Sequence, residues 1–321
     1  MPIVTRDRPP SLHMNVARRA APEGGFTLIE LLVVIAVIAL LIGILLPALS
    51  KARKTANNLR EMAAIKQMGA AYTTYAQDYR EKLLPGYLKS SWATRGRDPA
   101  HEFVAWDNPD DANEYNRLTG AMIRKYPWRI MPYINFSLET LIVDKNLYRE
   151  YKALPSSPHD YYGFQWSFAS NPSFGLNTTY VGGDAHRGGF YSPAIRRYGP
   201  FYVTRLDQPA HTDKLLIFTS ARGARALDGT QLVPGNHRIE APWNASSGTS
   251  VVPTFSRWKA PPGQPFNPNR SDNTYGHVDC RLSGRAAVVT FDGHAESLKI
   301  QDLEDMRRWS NQATSPDWHP R

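Results

Sequence analysis

Cysteine is almost absent from this sequence: Cys280 is the only one among 321 residues. No disulfide can therefore form within the chain, although many secreted domains depend on such bonds. The hydrophobic share of 42% is sufficient for a packed core, and the fold must rely on that core. We expect Cys280 to be a half-buried, unreactive thiol, with an intermolecular disulfide as the alternative.

Compact catalytic motifs are also missing. The nine histidines include no His-Glu-x-x-His spacing, and the chain has no Gly-x-Ser-x-Gly elbow for a serine nucleophile. The glycine-rich stretch 182–189 lacks the lysine and serine of a phosphate-binding P-loop, so it predicts a flexible surface loop. These absences argue against an enzyme.

Basic residues are in excess, with a formal net charge of +9, but they are scattered along the chain. Short basic clusters occur at 18–19, 51–54 and 307–308. The sequence has no basic helical stripe and no alternation of aromatic with basic side chains, which nucleic-acid-binding surfaces use. Nucleic acid is therefore not an expected partner.

A long hydrophobic run covers residues 26–46, in which only Thr27 and Glu30 are polar. As a helix it would span about 31 Å, enough to cross the hydrocarbon core of a bilayer. A secretory signal peptide has a shorter apolar core that is followed by its cleavage site. Here the cleavage-like Gly25 precedes the run, so we expect the run to remain in the mature protein.

The junction Gly25-Phe26, followed by Glu30, resembles the prepilin signal of type IV pilins and type II secretion pseudopilins. The resemblance implies that prepilin peptidase cuts after Gly25 and that Phe26 becomes the methylated N-terminus. It also implies that Glu30 guides filament assembly by pairing with the terminal amine of a neighbouring subunit. A carboxylate in a membrane-length helix is costly and usually functional. The alternative is a Glu30 that snorkels to the interface and has no role.

The charges that flank the run do not fix its orientation, because both flanks carry several Lys and Arg residues. The resemblance implies a single-pass protein of the inner membrane, with a cytoplasmic N-terminus and an extracytoplasmic head. It further implies assembly into a pseudopilus in the periplasm or a pilus at the cell surface. The implied partners are prepilin peptidase, other pilin or pseudopilin subunits, and the inner-membrane assembly platform.

Residues 47–82 predict an amphipathic continuation of the same helix. Pro47 would kink this helix without ending it, and pilins tend to carry a proline near this place. The stop signal is Leu84-Pro85-Gly86. The apolar stripe recurs at spacings of three or four residues and comprises Leu59, Met62, Ile65, Met68, Tyr72, Tyr75 and Tyr79.

The head begins at residue 83 and is poorer in regular periodicity. Asp292-Gly293 between two apolar runs predicts a hairpin, because such a turn requires positive φ. The expected elements are, in chain order, a short strand candidate at 138–143, turns and short strands over 171–183, a buried strand at 214–219, a hairpin of 286–291 with 294–300, and a terminal helix at 302–309.

Parts of the head resemble planctomycete-type families of prepilin-like proteins. The similar parts are the segment Ser173 to Asn177, the strand 214–219, and a C-terminal His-xn-Asp-Gly element made by His277 with Asp292-Gly293. Fourteen residues separate His277 from Asp292, whereas that element has nine in the families, so a role that depends on this spacing does not carry over.

His277, Asp292 and His294 are also the candidate metal ligands of the head. The major pseudopilins of type II secretion bind calcium in the head, so Ca²⁺ is the ion that the resemblance suggests. Such an ion would require several further oxygen ligands. The alternative is that turn and strand geometry alone account for these residues.

Together these features predict an α+β, pilin-like fold in which a long N-terminal helix packs on a head with an antiparallel sheet. The expected parts are a cleaved leader at 1–25, a membrane or filament-core helix at 26–46, its amphipathic continuation at 47–82 and an extracytoplasmic α/β head at 83–321. The expected function is that of a structural subunit of minor or specialised type. The rival is a membrane-anchored protein whose aromatic side chains bind glycan or another polymer, and an anchored hydrolase ranks third.

Overall fold

The computed structural model describes residues 27–88, 122–154, 163–187, 189–190, 192–224, 231–246 and 252–321. Its contacts divide the chain into two units, Met1–Lys54 and Thr55–Arg321. The long helix α1, Leu28–Asp78, contributes to both units. The second unit contains helix and antiparallel strand together, so the predicted α+β fold is confirmed.

Helix α1 contains Pro47 and continues beyond it, as the sequence predicts. The helix ends at Asp78, before the expected stop at 84–86. Arg80 and Glu81 both adopt a positive φ there, and the Glu81 amide donates to the carbonyl of Ala76 at 2.7 Å. This left-handed turn and its backbone hydrogen bond end the helix without a glycine or proline.

The part of α1 in the second unit buries an apolar stripe in the core. Ile65, Met68, Tyr72 and Tyr75 are buried, which confirms the predicted face. Leu59 was expected on the same stripe but is 66% exposed. The stripe instead begins with a charged side chain, Glu61, which is only 4% exposed and lies one helical turn before Ile65.

Short helices precede most of the sheet. They are α2 Tyr126–Ile130, continued by a 3₁₀ turn at Met131–Ile134, then α3 Leu138–Leu141, α4 Lys145–Lys152, α5 Phe164–Ser170 and, between β1 and β2, α6 Ser192–Tyr198. The strand candidate at 138–143 is therefore wrong. A short apolar run does not distinguish strand from helix by periodicity alone. Leu141, the last residue of α3, and Ile142, which follows it, are both buried.

The main sheet has four antiparallel strands in the order β1, β2, β7, β8. Two small two-stranded sheets pair β3 with β4 and β5 with β6. The strands are β1 Phe174–Leu176, β2 Leu216–Ser220, β3 Gly223–Ala224, β4 Leu232–Val233, β5 Trp243–Ala245, β6 Phe255–Arg257, β7 Ala286–Thr290 and β8 Ala295–Leu298. The predicted strand at 214–219 and the predicted hairpin at 286–300 are thus confirmed, with Gly293 at φ 83° in the turn.

The two faces of the sheet are buried in different clusters. Ala287 and Val289 of β7 belong to the cluster that includes the stripe of α1. Ala286 and Val288 belong to a second cluster with the C-terminal residues Met306 and Trp309. This alternation follows the two-residue period of a strand and explains why four consecutive residues of β7, 286–289, are apolar.

The C-terminal segment forms two 3₁₀ turns, Asp302–Glu304 and Met306–Arg308, where a single helix over 302–309 was expected. Asp305 separates them because its backbone is extended, and its carboxylate accepts from the Arg307 amide at 3.0 Å. The aspartate thereby caps the second turn and interrupts a continuous helix.

Gly69 is a point of close approach between α1 and the sheet. A Cβ built at this position would lie 2.6 Å from Cγ2 of Val289, a side chain that is fully buried. Gly69→Leu is therefore expected to reduce the free energy of unfolding of the head by about 1–3 kcal/mol through overpacking. Ala70→Leu is the matched control, because Ala70 is exposed and should change stability by less than about 0.5 kcal/mol. Chemical denaturation of both variants in detergent measures the difference, and equal stability would contradict this packing.

The buried Glu61 is paired with Arg281, which lies between β6 and β7 in the sequence. Oε1 of Glu61 lies 2.9 Å from Nη2 of Arg281 and accepts from the Ser220 hydroxyl at 2.5 Å. Oε2 accepts from Nε of Arg281 at 3.0 Å. Arg281 also donates to the carbonyls of Ser173 and Ala221 at 2.8 Å. This network joins α1 to three separate segments of the head.

Glu61→Ala is expected to lower the free energy of unfolding by about 3 kcal/mol, because it leaves the Arg281 charge buried with fewer partners. The exposed pair of Arg60 with Glu139, 3.6 Å apart, supplies the control. Glu139→Ala should cost no more than about 1 kcal/mol. Denaturation of the full chain in detergent, followed by tryptophan fluorescence, measures both. A loss for Glu61→Ala as small as that for Glu139→Ala would show that the pair does not hold α1 on the head.

Candidate functional site

The candidate site is the N-terminal end of α1. The helix begins at Leu28, so Thr27 is its N-cap and Glu30 stands at the third helical position. The Thr27 amide and hydroxyl donate to Oε2 of Glu30 at 2.9 and 2.8 Å, and the Glu30 amide donates to the Thr27 hydroxyl at 3.3 Å. Thr27 and Glu30 thus form a capping box, which satisfies amides that the helix leaves without partners.

The capping box gives Glu30 a local role that sequence reasoning missed. The signal was available, because Thr-x-x-Glu before an apolar run is the usual pattern of a capping box. The box occupies Oε2 of Glu30 alone. Oε1 has no hydrogen-bond partner among the described residues, so it is available for a cation outside the chain.

The apolar run that follows is exposed along its described length. All side chains from Leu28 to Leu46 are exposed, and the helix is the one in the described part that is long and apolar enough to cross a membrane. Exposed leucine, isoleucine and valine on every side of a helix are unstable in water and suit a lipid or protein environment. Gly25 and Phe26, at the expected cleavage site, lie outside the described residues, as does the whole of the leader.

The candidate metal ligands of the head are not brought together. The Arg222 amide donates to the carbonyl of His277, so His277 lies beyond the C-terminal end of β2. The Phe291 amide donates to the carbonyl of Leu215, so Asp292 lies near the N-terminal end of β2. His277 and Asp292 therefore lie beyond opposite ends of β2, roughly 20 Å apart at about 3.3 Å per residue. The described part of the chain contains no group of three or more His, Cys, Asp or Glu side chains that could hold a metal.

Each of these candidates has a local partner instead. Nδ1 of His277 lies 3.1 Å from Oδ2 of Asp272, and this hydrogen bond lowers the pKa of Asp272. Oδ1 of Asp292 accepts from the Thr290 hydroxyl at 2.6 Å and from the His294 amide at 3.0 Å. The hydrogen bond from Thr290 lowers the pKa of Asp292. These contacts stabilise a turn on each side of the head.

Cys280 is more deeply buried than the sequence suggests, with 3% of its surface exposed. Burial raises the pKa of its thiol to about 12, so it is protonated at neutral pH. The stretch 182–187 also differs from the expected flexible loop. Asp184 within it is fully buried and accepts from the Thr178 hydroxyl at 2.6 Å.

Comparison with known families adds one match. Residues 21–46 match the sequence model of the prokaryotic N-terminal methylation motif. No curated protein and no solved structure matches the chain. The match covers the expected cleavage junction, the capping box and the apolar run, and it leaves the head without a relative. The motif and the exposed apolar helix are consistent with membrane anchoring, and they support a type IV pilin-like protein.

Proposed function

We propose that this chain is a structural subunit, of minor or specialised type, of a type II secretion pseudopilus or a type IV pilus-like fibre. Prepilin peptidase would remove residues 1–25, and the new N-terminal Phe26 would be methylated. The observation that carries the proposal is the methylation motif at 21–46, which ends with the exposed apolar part of α1.

The apolar part of α1 suits two environments in succession. In the inner membrane it would span the bilayer once, with a cytoplasmic N-terminus and an extracytoplasmic head. In the fibre the same side chains would pack against those of neighbouring subunits, so that neither state exposes them to water. The inner-membrane assembly platform would move each subunit from the first environment to the second.

Glu30 would connect these two states. A carboxylate at membrane depth needs a positive partner, and a processed neighbour offers one in the α-amine of its Phe26. Oε2 is used by the capping box, and Oε1 remains for that amine. The capping box would therefore orient the carboxylate as well as stabilise the helix end.

The surface-binding rival has less support. In the described part of the chain no Trp, Tyr or Phe side chain is exposed, and Trp128 and Trp309 are fully buried. A glycan platform usually presents aromatic faces to solvent. The described aromatics are buried or half-buried against the core, and none of them presents a largely exposed face. Calcium is not part of the proposal because His277 and Asp292 lie apart.

Co-purification tests the proposal. The full chain would be expressed in cells that carry a type II secretion or type IV pilus system, and sheared fibres would be collected and probed for it. The proposal predicts that the processed chain is present in the fibre fraction. Its absence from fibres, together with saturable binding of the detergent-purified chain to immobilised glycans, would favour the rival.

A further inference from the structure

Four backbone segments meet on one side of the head around Tyr87. The backbone of Tyr87 pairs with Lys125 and with Asp184. Its ring lies against His186, with centroids 4.5 Å apart, and 6.1 Å from the ring of His237. The segments bring together six basic side chains, called here the basic cluster: Arg124, Lys125, His186, Arg187, His237 and Arg238.

The cluster is held by short contacts. Nη2 of Arg124 lies 3.2 Å from Nε2 of His186. Nζ of Lys125 donates to the Ser170 hydroxyl at 2.5 Å and lies 3.6 Å from the centre of the Trp166 ring. None of these partners carries a negative charge, so the contacts position the cations without neutralising them.

Among the described residues, two carboxylates lie close to the basic cluster, and both already accept hydrogen bonds or form ion pairs within the chain. Asp184 is fully buried and accepts from the Thr178 hydroxyl and from a backbone amide. Glu240 pairs with Arg187 and lies 3.6 Å from Nε of Arg238. The four Arg and Lys side chains therefore face two carboxylates, which leaves an excess of positive charge.

The excess is concentrated at Arg124 and Lys125, because neither forms an ion pair within the described part of the chain. Lys125 is 5% exposed, and burial together with repulsion from Arg238 lowers its pKa to about 7. Burial and repulsion from Lys125 also lower the pKa of His237. Nε2 of His237 and Nε of Arg238 are buried without hydrogen-bond partners. Burial thus disfavours the charged forms of Lys125 and His237, and a bound anion would offset that cost by stabilising those charged forms.

We propose that the basic cluster binds a phosphate or sulfate group, either as the free ion or as an ester on a sugar. Arg124 and Arg238 are partly exposed and would form the entrance, since the guanidinium fork matches the oxygens of such an anion. Lys125 would lie behind them. Recognition would use side chains, including those that the glycine-rich stretch contributes, and would not use a P-loop cradle of amides. This binding is independent of fibre assembly.

Phosphate and sulfate binding by the full chain in detergent tests the proposal. Sodium phosphate and sodium sulfate should each raise the Tm by about 5 °C or more at a hundredfold excess over Kd, relative to sodium chloride at equal ionic strength. The Kd of glucose 6-phosphate shows whether a phosphate ester on a sugar binds, and glucose is the control without the phosphate group. Tighter binding of the sugar phosphate than of inorganic phosphate identifies an ester as the ligand, and the reverse order identifies the free ion.

Two variants and a control locate the site. Arg124→Gln is expected to weaken phosphate binding by about 10-fold or more in calorimetric titration, because a charge-assisted contact is lost. Arg238→Gln is the second variant, since Arg124 also donates to the carbonyl of Leu88 and its loss could unfold the segment. Arg270→Gln makes the same charge change at an exposed position and should leave Kd unchanged. Equal stabilisation by chloride, no effect of phosphate or sulfate, or equal weakening by Arg270→Gln would overturn the proposal.

Discussion

Replacing Gly25 by valine is expected to leave the leader on the protein and to exclude the protein from fibres. The proposal places the prepilin peptidase cut after Gly25, and a β-branched side chain at this position would obstruct the peptidase. The uncut chain would have no α-amine on Phe26, so nothing would be available for methylation or for pairing with Glu30. The effect on processing should be close to complete.

Gly24→Val is the matched control, because it makes the same change one residue earlier and keeps the Gly25-Phe26 junction. Intact mass spectrometry of both proteins, purified from cells that contain prepilin peptidase, measures the outcome. The Gly25→Val protein is expected to have the full-length mass, and the Gly24→Val protein the processed mass. Processing of Gly25→Val at the same bond would remove the role given to this glycine.

Replacing Glu30 by leucine is expected to leave cleavage intact and to reduce incorporation into fibres strongly. Leucine removes both functions of the side chain, namely the cap on Thr27 and the negative charge. Glu30→Gln separates the two functions, because a glutamine at the third helical position can still accept from the Thr27 amide but carries no charge. Thr27→Val removes the hydroxyl of the capping box and keeps the charge.

Fibre incorporation, normalised to the amount of processed protein in the membrane, measures the three variants. If the charge of Glu30 pairs with the amine of a neighbour, Glu30→Gln should be as defective as Glu30→Leu, and Thr27→Val should assemble well. If the cap is the only role, Glu30→Gln should assemble well and Thr27→Val should be defective. Normal incorporation of Glu30→Leu would remove both roles.

Elements with a strong local pattern could be predicted from the sequence. The strands at 216–220 and 286–290 are buried along their whole length and mostly apolar, because both faces of the sheet are covered. The hairpin at Gly293 follows from its turn residues. The methylation motif and its apolar helix could be predicted because both are linear patterns, whereas the capping box of Thr27 with Glu30 was missed.

Features that depend on distant residues could not be predicted. Glu61 begins the buried stripe of α1, and only the position of Arg281, far along the chain, explains why a carboxylate is buried there. The basic cluster is assembled from segments that are separated in sequence, and none of them has a distinctive pattern. The short helix at 138–141 depends on packing that its four residues do not encode.

The N-terminus of the mature protein tests the central claim most directly. The wild-type chain would be purified from cells that contain prepilin peptidase, and its N-terminal peptide would be analysed by tandem mass spectrometry. A structural subunit of a pilus-like fibre is expected to begin with N-methyl-Phe26 and to retain the apolar part of α1. An intact Met1, or a cut after residue 46, would contradict it.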